Sequence, residues 1–126
     1  MKFARWMFGL AGTYGLLLLL PYYFMEELIG REYPPAITHP EFFYGFVGTA
    51  AAWQVAFLVI ARDPARYRPL MPAAMLEKAT FGFAAIWLFL QGRIPASVLA
   101  FGGIDLLLGV GFVAAFLATG RPEQQT

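Results

Sequence analysis

Phe42–Ala61 reads FFYGFVGTAAAWQVAFLVIA, twenty residues without a charge, closed by Glu41 on one side and Arg62 on the other. A helix rises about 1.5 Å per residue, so such a run is about 30 Å long, the thickness of a bilayer's hydrocarbon core. Working outward, three more runs of this kind appear, which places the expected spans at about residues 6–24, 42–61, 70–91 and 95–118. The expected fold is therefore all-α, one integral membrane domain over residues 1–126 built as a bundle of four transmembrane helices. Prolines punctuate it. Pro40, Pro72 and Pro95 stand where helices begin, in first turns that tolerate a missing N–H. Pro21 stands late in the first run, where it is expected to kink or end the helix.

The composition agrees with lipid as the solvent, because 60% of the 126 residues are hydrophobic and 13% are charged. There is no cysteine, which excludes disulfides, thiol catalysis, iron–sulfur ligation and c-type haem attachment. A net charge of +1 with scattered basic residues gives no nucleic-acid footprint. The opening MKFARWMFGLAGTYGLLLLLPYYF starts like a secretory signal, with Lys2 and Arg5 before an apolar run. The run is too long and lacks a small-x-small cleavage pattern, so it reads as a retained first span.

Lys and Arg set the expected orientation, since short cytoplasmic loops retain positive charge. Lys2, Arg5, Arg62, Arg66, Arg68 and Arg121 fall on one side, against Arg31 and Arg93 on the other. Both termini are thus expected in the cytoplasm, with the protein in the cell (inner) membrane. The bias argues against copies inserting both ways up. The connection 25–41 is the longest and carries Glu26, Glu27, Glu32 and Glu41, with Tyr22, Tyr23, Tyr33, Phe42, Phe43 and Tyr44 near it at headgroup level. The tail RPEQQT is short and polar and is expected to be mobile.

Small residues four apart are the expected contacts between helices in lipid: Gly9 and Thr13, then Gly48, Ala52 and Ala56, then Gly111, Ala115 and Thr119. Packing inside one bundle explains them without a homodimer.

Three ionisable residues fall inside the spans, where a charge costs at least about 2.5 kcal/mol. Glu77 and Lys78 are consecutive, about 100° apart around the helix, so each is expected to find its own partner. Lys78 is expected to lift its ammonium to the inner headgroups. Glu77 shares a small and polar stripe with Ala73, Ala74, Thr80, Ala84 and Gln91, expected to face the bundle interior. By rise per residue, Glu77 lies about 10 Å above Leu70, Gln54 about 10 Å above Ala61 and Tyr14 about 13 Å above Arg5, so three helices bring polar groups to one level. Asp105 sits deepest, between Gly102 and Gly109 on its face, and is too short to reach a headgroup. It must be neutral or paired with Lys78, Tyr14, Thr49, Trp53 or water. Tyr14, Gln54, Glu77 and Asp105 are therefore the candidate ligand-binding residues, with a purely structural role for the acids as the alternative.

His39, the only histidine, precedes Pro40 and Glu41. With Glu41, Glu27 and Glu32 it could hold a divalent metal, but one imidazole at irregular spacing reads better as a helix cap or solvated side chain, and no metal is expected. Arg62, Arg66 and Arg68 would hold anionic lipid headgroups, at about 1 kcal/mol each. In the same loop Asp63 before Pro64 has the form of an N-cap and first-turn proline. No Ser-His-Asp set, phosphate loop, dinucleotide fingerprint or zinc helix motif occurs, and no cofactor is named by the residues.

The segment from His39, HPEFFYGFVGTAAAWQVAFLVIARDPARYRPLMPAAMLEK, resembles a group of uncharacterised bacterial membrane proteins. The small four-helix architecture resembles that of the DoxX-like proteins, some of which accompany quinone-linked respiratory oxidation. It is also similar to the sterol-isomerase and sigma-2 receptor fold, in which acids inside a four-helix bundle bind cationic or sterol-like ligands. No site residue is carried over from either family. Small multidrug exporters place their working Glu in the first span, which here has none.

Three functional classes follow. The first is a bundle that holds a lipid-like molecule, such as a quinone or isoprenoid, at the layer of Tyr14, Gln54, Glu77 and Asp105. The second is a structural or accessory subunit of a larger membrane complex. The third is a proton-coupled carrier or membrane enzyme that uses Glu77 and Asp105.

Overall fold

A computed structural model of the chain describes residues 2–120. Arg121 and the rest of the tail, residues 121–126, for which the sequence predicts mobility, lie outside the described residues. The described chain is helical: α1 (Lys2–Leu19), α2 (Glu26–Glu32), α3 (Pro40–Arg62), α4 (Met71–Leu90) and α5 (Ala96–Thr119). All but α2 are long and apolar enough to cross a membrane. α1 starts at Lys2 rather than Trp6, because its first turn projects beyond the apolar run and can carry Lys2 and Arg5 on exposed faces.

The prolines act locally as their chemistry requires. At Pro21 the α-helical pattern gives way to a 3-10 turn over Leu20–Phe24, since proline cannot donate the N–H that the α ladder would need. Pro40 is the first residue of α3, Pro72 the second of α4, and Pro95 caps α5. Between α4 and α5, Gly92 takes φ +72°, donates from its N–H to the Phe89 carbonyl at 2.9 Å and lets the Arg93 N–H reach the Leu88 carbonyl at 2.9 Å. This paired closure of a helix end is favoured by glycine, which alone adopts that backbone without strain.

The 25–41 connection contains the short helix α2, about two turns long. Asp63 caps as expected from its place before Pro64, although what it opens is a short turn and not an α-helix. Its carboxylate accepts from the Arg66 N–H at 3.3 Å, and its carbonyl accepts from the Tyr67 N–H at 3.1 Å, closing a tight turn before α4.

α1 packs along α3, α4 packs along α5, and α1 joins the two pairs through α5; α3 and α4 touch only sparsely. The order around the bundle is α3–α1–α5–α4, with the fourth side partly open. At the end that bears Arg5, Arg62, Arg66 and Arg68 the short 63–67 turn ties α3 to α4, and here the bundle is solid. Ala4, Phe8, Ala11, Phe57, Ile60, Met71, Ala74, Phe112 and Ala115 form its core. The Phe8 and Phe112 rings stack at 4.2 Å, and Phe57 meets Phe112 edge-on at 5.0 Å. The Arg5 guanidinium donates to the Arg62 carbonyl at 3.1 Å, satisfying one of the bare carbonyls at the end of α3.

Close approach of small residues occurs, but not always where the spacing predicts. α1 meets α3 through Gly9, Gly12 and Gly15: a Cβ on Gly9 would lie 3.8 Å from the Ala61 Cβ and one on Gly12 within 2.7 Å of the Gln54 carbonyl oxygen, whereas Thr13 is exposed. Ala52 faces outward, while Gly48 lies under the Tyr23 hydroxyl. Gly111 gives room to Met7, and Ala115 and Thr119 are buried. α4 and α5 are closest at Gly82 and Gly102, where a Cβ on Gly102 would press on the Ala85 methyl at 2.5 Å. Large apolar side chains cover the outside, among them Trp6 (69% exposed), Leu17 (74%) and Leu107 (73%). In water such a surface would be strongly unfavourable; lipid tails are its natural cover.

Candidate ligand-binding site

Beyond the solid core, toward the end that carries α2, the bundle becomes hollow. A cavity of about 330 Å³ is walled by all four long helices and roofed by Ile29 of α2 and by Tyr33 just after it. Tyr14 enters from α1, Gln54 from α3, Glu77 and Lys78 from α4, and Asp105 from α5, while Leu18, Leu19, Phe46, Phe81 and Phe101 make the rest mostly apolar. Its size lies at the small end of ordinary small-molecule sites. The rise-per-residue arithmetic works because α1, α3 and α4 start from or end at the same basic end, so equal distances along each axis reach equal depth.

Lys78 is the residue that the sequence misplaces. Its ammonium does not reach a headgroup; the side chain is 3% exposed and lies between two carboxylates, 3.5 Å from Asp105 Oδ1 and 3.6 Å from Glu77 Oε2. It also stands 5.2 Å from the Phe57 ring centroid, at the boundary between the hollow and the solid core. The preference is electrostatic, since an ammonium at this depth gains far more from two nearby carboxylates than from a distant interface. Glu77 and Lys78 do pair although they are consecutive. The long lysine stem carries its charge away from its own Cα direction and back beside its neighbour, which the angle between adjacent positions does not capture.

The inner face of α4 is consequently the lysine's face, with Met71, Ala74, Lys78, Gly82 and Ala85 buried. Glu77 sits at the edge of that face, and Thr80, Ala84 and Gln91 are exposed. Of the partners open to Asp105, Lys78 takes the ion pair and Tyr14 shares the cavity, whereas Thr49 and Trp53 line a different hollow on the outer side of α3.

That second hollow is an open groove of about 920 Å³ between α3 and α4, lined by Phe42, Phe46, Trp53, Leu76 and Phe81 among others. Phe46, Ala50, Glu77 and Phe81 belong to both the groove and the cavity. The Glu77 carboxylate therefore stands at the threshold between the bundle's interior and the lipid side.

Gln54 is 1% exposed and donates from Nε2 to the Ala50 carbonyl one turn back at 2.9 Å. Its carboxamide lies over Gly15, where any side chain would overlap it, and stands beside the Glu77 carboxylate. Gln54 Oε1 and Glu77 Oε2 are the buried side-chain atoms without a hydrogen-bond partner among the described residues.

The basic end is built differently. Arg68 is turned onto the end of α5, where Nε donates to the Phe116 carbonyl at 3.0 Å and to Thr119 Oγ1 at 3.2 Å, and the guanidinium lies 3.7 Å from the Phe116 ring centroid. Arg62 and Arg66 are exposed. At the opposite end His39 Nδ1 pairs with Glu41 Oε1 at 3.1 Å on an exposed surface, and its backbone carbonyl, not its ring, caps α3. No grouping of three His, Asp or Glu able to hold a metal ion occurs among the described residues. No protein-family model matches the chain, and neither curated proteins nor solved structures include a match to it, so nothing here supports the DoxX-like resemblance.

Proposed function

We propose that the chain is a multi-pass protein of the cell (inner) membrane that holds a lipid-like molecule, with its polar head at Glu77, Lys78 and Asp105 and its tail lying in the α3–α4 groove. The observation that carries this reading is the shared wall: Phe46, Ala50, Glu77 and Phe81 border both the polar cavity and the lipid-side groove. An amphiphile could enter sideways from the bilayer without its tail leaving an apolar surface, while its head exchanges headgroup contacts for the buried charges. Clustering of Lys2, Arg5, Arg62, Arg66 and Arg68 at one end supports a cytoplasmic placement of that end, with Arg62 and Arg66 free to meet anionic headgroups.

The test is native mass spectrometry of the protein released from membranes, comparing the wild type with Glu77→Gln and Asp105→Asn. A bound small molecule that is retained by the wild type and lost or weakened in both variants is the expected result. Equal retention in all three rejects the site.

A second reading is favoured by one specific count, two carboxylates against one ammonium, which leaves the cluster able to bind a proton. A proton-coupled carrier using Glu77 and Asp105 would show pH-dependent flux in liposomes, and flux that ignores pH would remove it.

A further inference from the structure

The lipid-holding reading leaves the chemistry of the head group open, and the unmatched atoms of the cavity narrow it. Gln54 Oε1 and Glu77 Oε2 lack hydrogen-bond partners among the described residues, and both are acceptors. The nearby donors are fewer than the acceptors: of the two Gln54 amide hydrogens one goes to the Ala50 carbonyl and the other lies beside the Glu77 carboxylate. Gln54 Nε2 is held by the Ala50 carbonyl at 2.9 Å, and the Lys78 ammonium is divided between Asp105 at 3.5 Å and Glu77 at 3.6 Å, tight to neither. The cavity therefore presents more acceptors than donors, with the Tyr14 hydroxyl as the neutral donor on the α1 wall.

We infer that the head group taken by this cavity is a hydroxyl: it donates to the acceptors at the Glu77–Gln54 corner that receive no hydrogen bond and accepts from the Tyr14 or Lys78 side. A ketone or ether can only accept, and would add another acceptor to a place that already has too many. An ammonium donates to the same acceptors and would balance the second carboxylate, but it cannot accept from the Tyr14 hydroxyl and would stand beside Lys78, so it is the rival head group that the amine probe tests. The inference rests on the proposed function and specifies its ligand as a long-chain or isoprenoid alcohol, or the quinol form of a quinone pair in preference to the oxidised form.

The full-length protein in lipid nanodiscs is titrated with three probes that share one C20 isoprenoid tail, geranylgeraniol, its methyl ether and the corresponding primary amine, with occupancy read by native mass spectrometry. The alcohol should reach half-occupancy at a concentration about tenfold or more below that of the ether, the size of effect expected when a buried acceptor is left unmatched. The advantage should collapse to within about twofold in Glu77→Met, which keeps the Lys78–Asp105 pair, and in Gln54→Met as an independent variant should Glu77→Met fail to fold. Equal occupancy by alcohol and ether, or tighter binding of the amine, overturns the hydroxyl assignment while leaving the lipid-holding reading in place. Failure of all three probes to bind overturns both.

Discussion

The two halves of the bundle differ in filling far more than in composition. In the basic half, Phe8, Phe57 and Phe112 interlock with Ile60 and Met71 and leave no room for a guest. In the half under α2, equally apolar helices enclose a cavity and part along the α3–α4 side. The boundary falls at Lys78, which lines the hollow and whose ammonium stands 5.2 Å from the Phe57 ring centroid. Close-packed apolar side chains give stability, and a polar cluster beside incompletely filled space gives a site. Which a given stretch becomes depends on its neighbours and not on its hydropathy.

The comparison breaks most sharply at the boundary. Lys78→Met strands Glu77 and Asp105 without their cation, and should cost about 3–5 kcal/mol of stability in a reversible unfolding titration in mixed micelles. Adding Asp105→Asn to that variant should restore part of the loss; a single variant as stable as the wild type would mean that the charges are not desolvated. Next, Phe57→Ala in the filled half should cost about 3 kcal/mol, since a packed ring is deleted with little chance of collapse. Phe101→Ala in the wall of the hollow should cost less than about 1 kcal/mol in the same assay, and equal losses would erase the distinction between the halves. Arg68→Ala, which strips the α5 end of its guanidinium, should cost about 1 kcal/mol. Smallest in stability is Ala50→Phe, placed where the groove meets the cavity. Its unfolding free energy should stay within about 0.5 kcal/mol of the wild type while ligand occupancy falls, because it plugs space that contributes little to packing.

Much of the site's location could be read without a structure. Tyr14, Gln54 and Glu77 come to one depth because three helices share an origin at the basic end and a helix has a fixed rise. Asp105 was confined to the interior by its short side chain and its distance from either end of its span. Lys78 escaped this logic, because a long flexible side chain has two ways of satisfying its charge, and choosing between them requires knowing where Asp105 lies. Gly12 and Gly15 escaped as well. Small residues are frequent in membrane helices, and only the position of Gln54 on α3 shows which of them must be small.

Four membrane-length helices, their ends at Pro21, Pro40, Pro72 and Pro95, and the gathering of arginines at one end follow from the amino-acid order alone. Apolar run length, proline's missing N–H and loop charge are local properties of the chain, legible residue by residue. The order α3–α1–α5–α4, the open side between α3 and α4, and the lysine held between two carboxylates belong to the tertiary structure. Contacts between helices in lipid depend on how side chains far apart in the chain fit together. No strong hydrophobic drive favours one pairing of apolar faces over another, so these features are decided only when the helices meet.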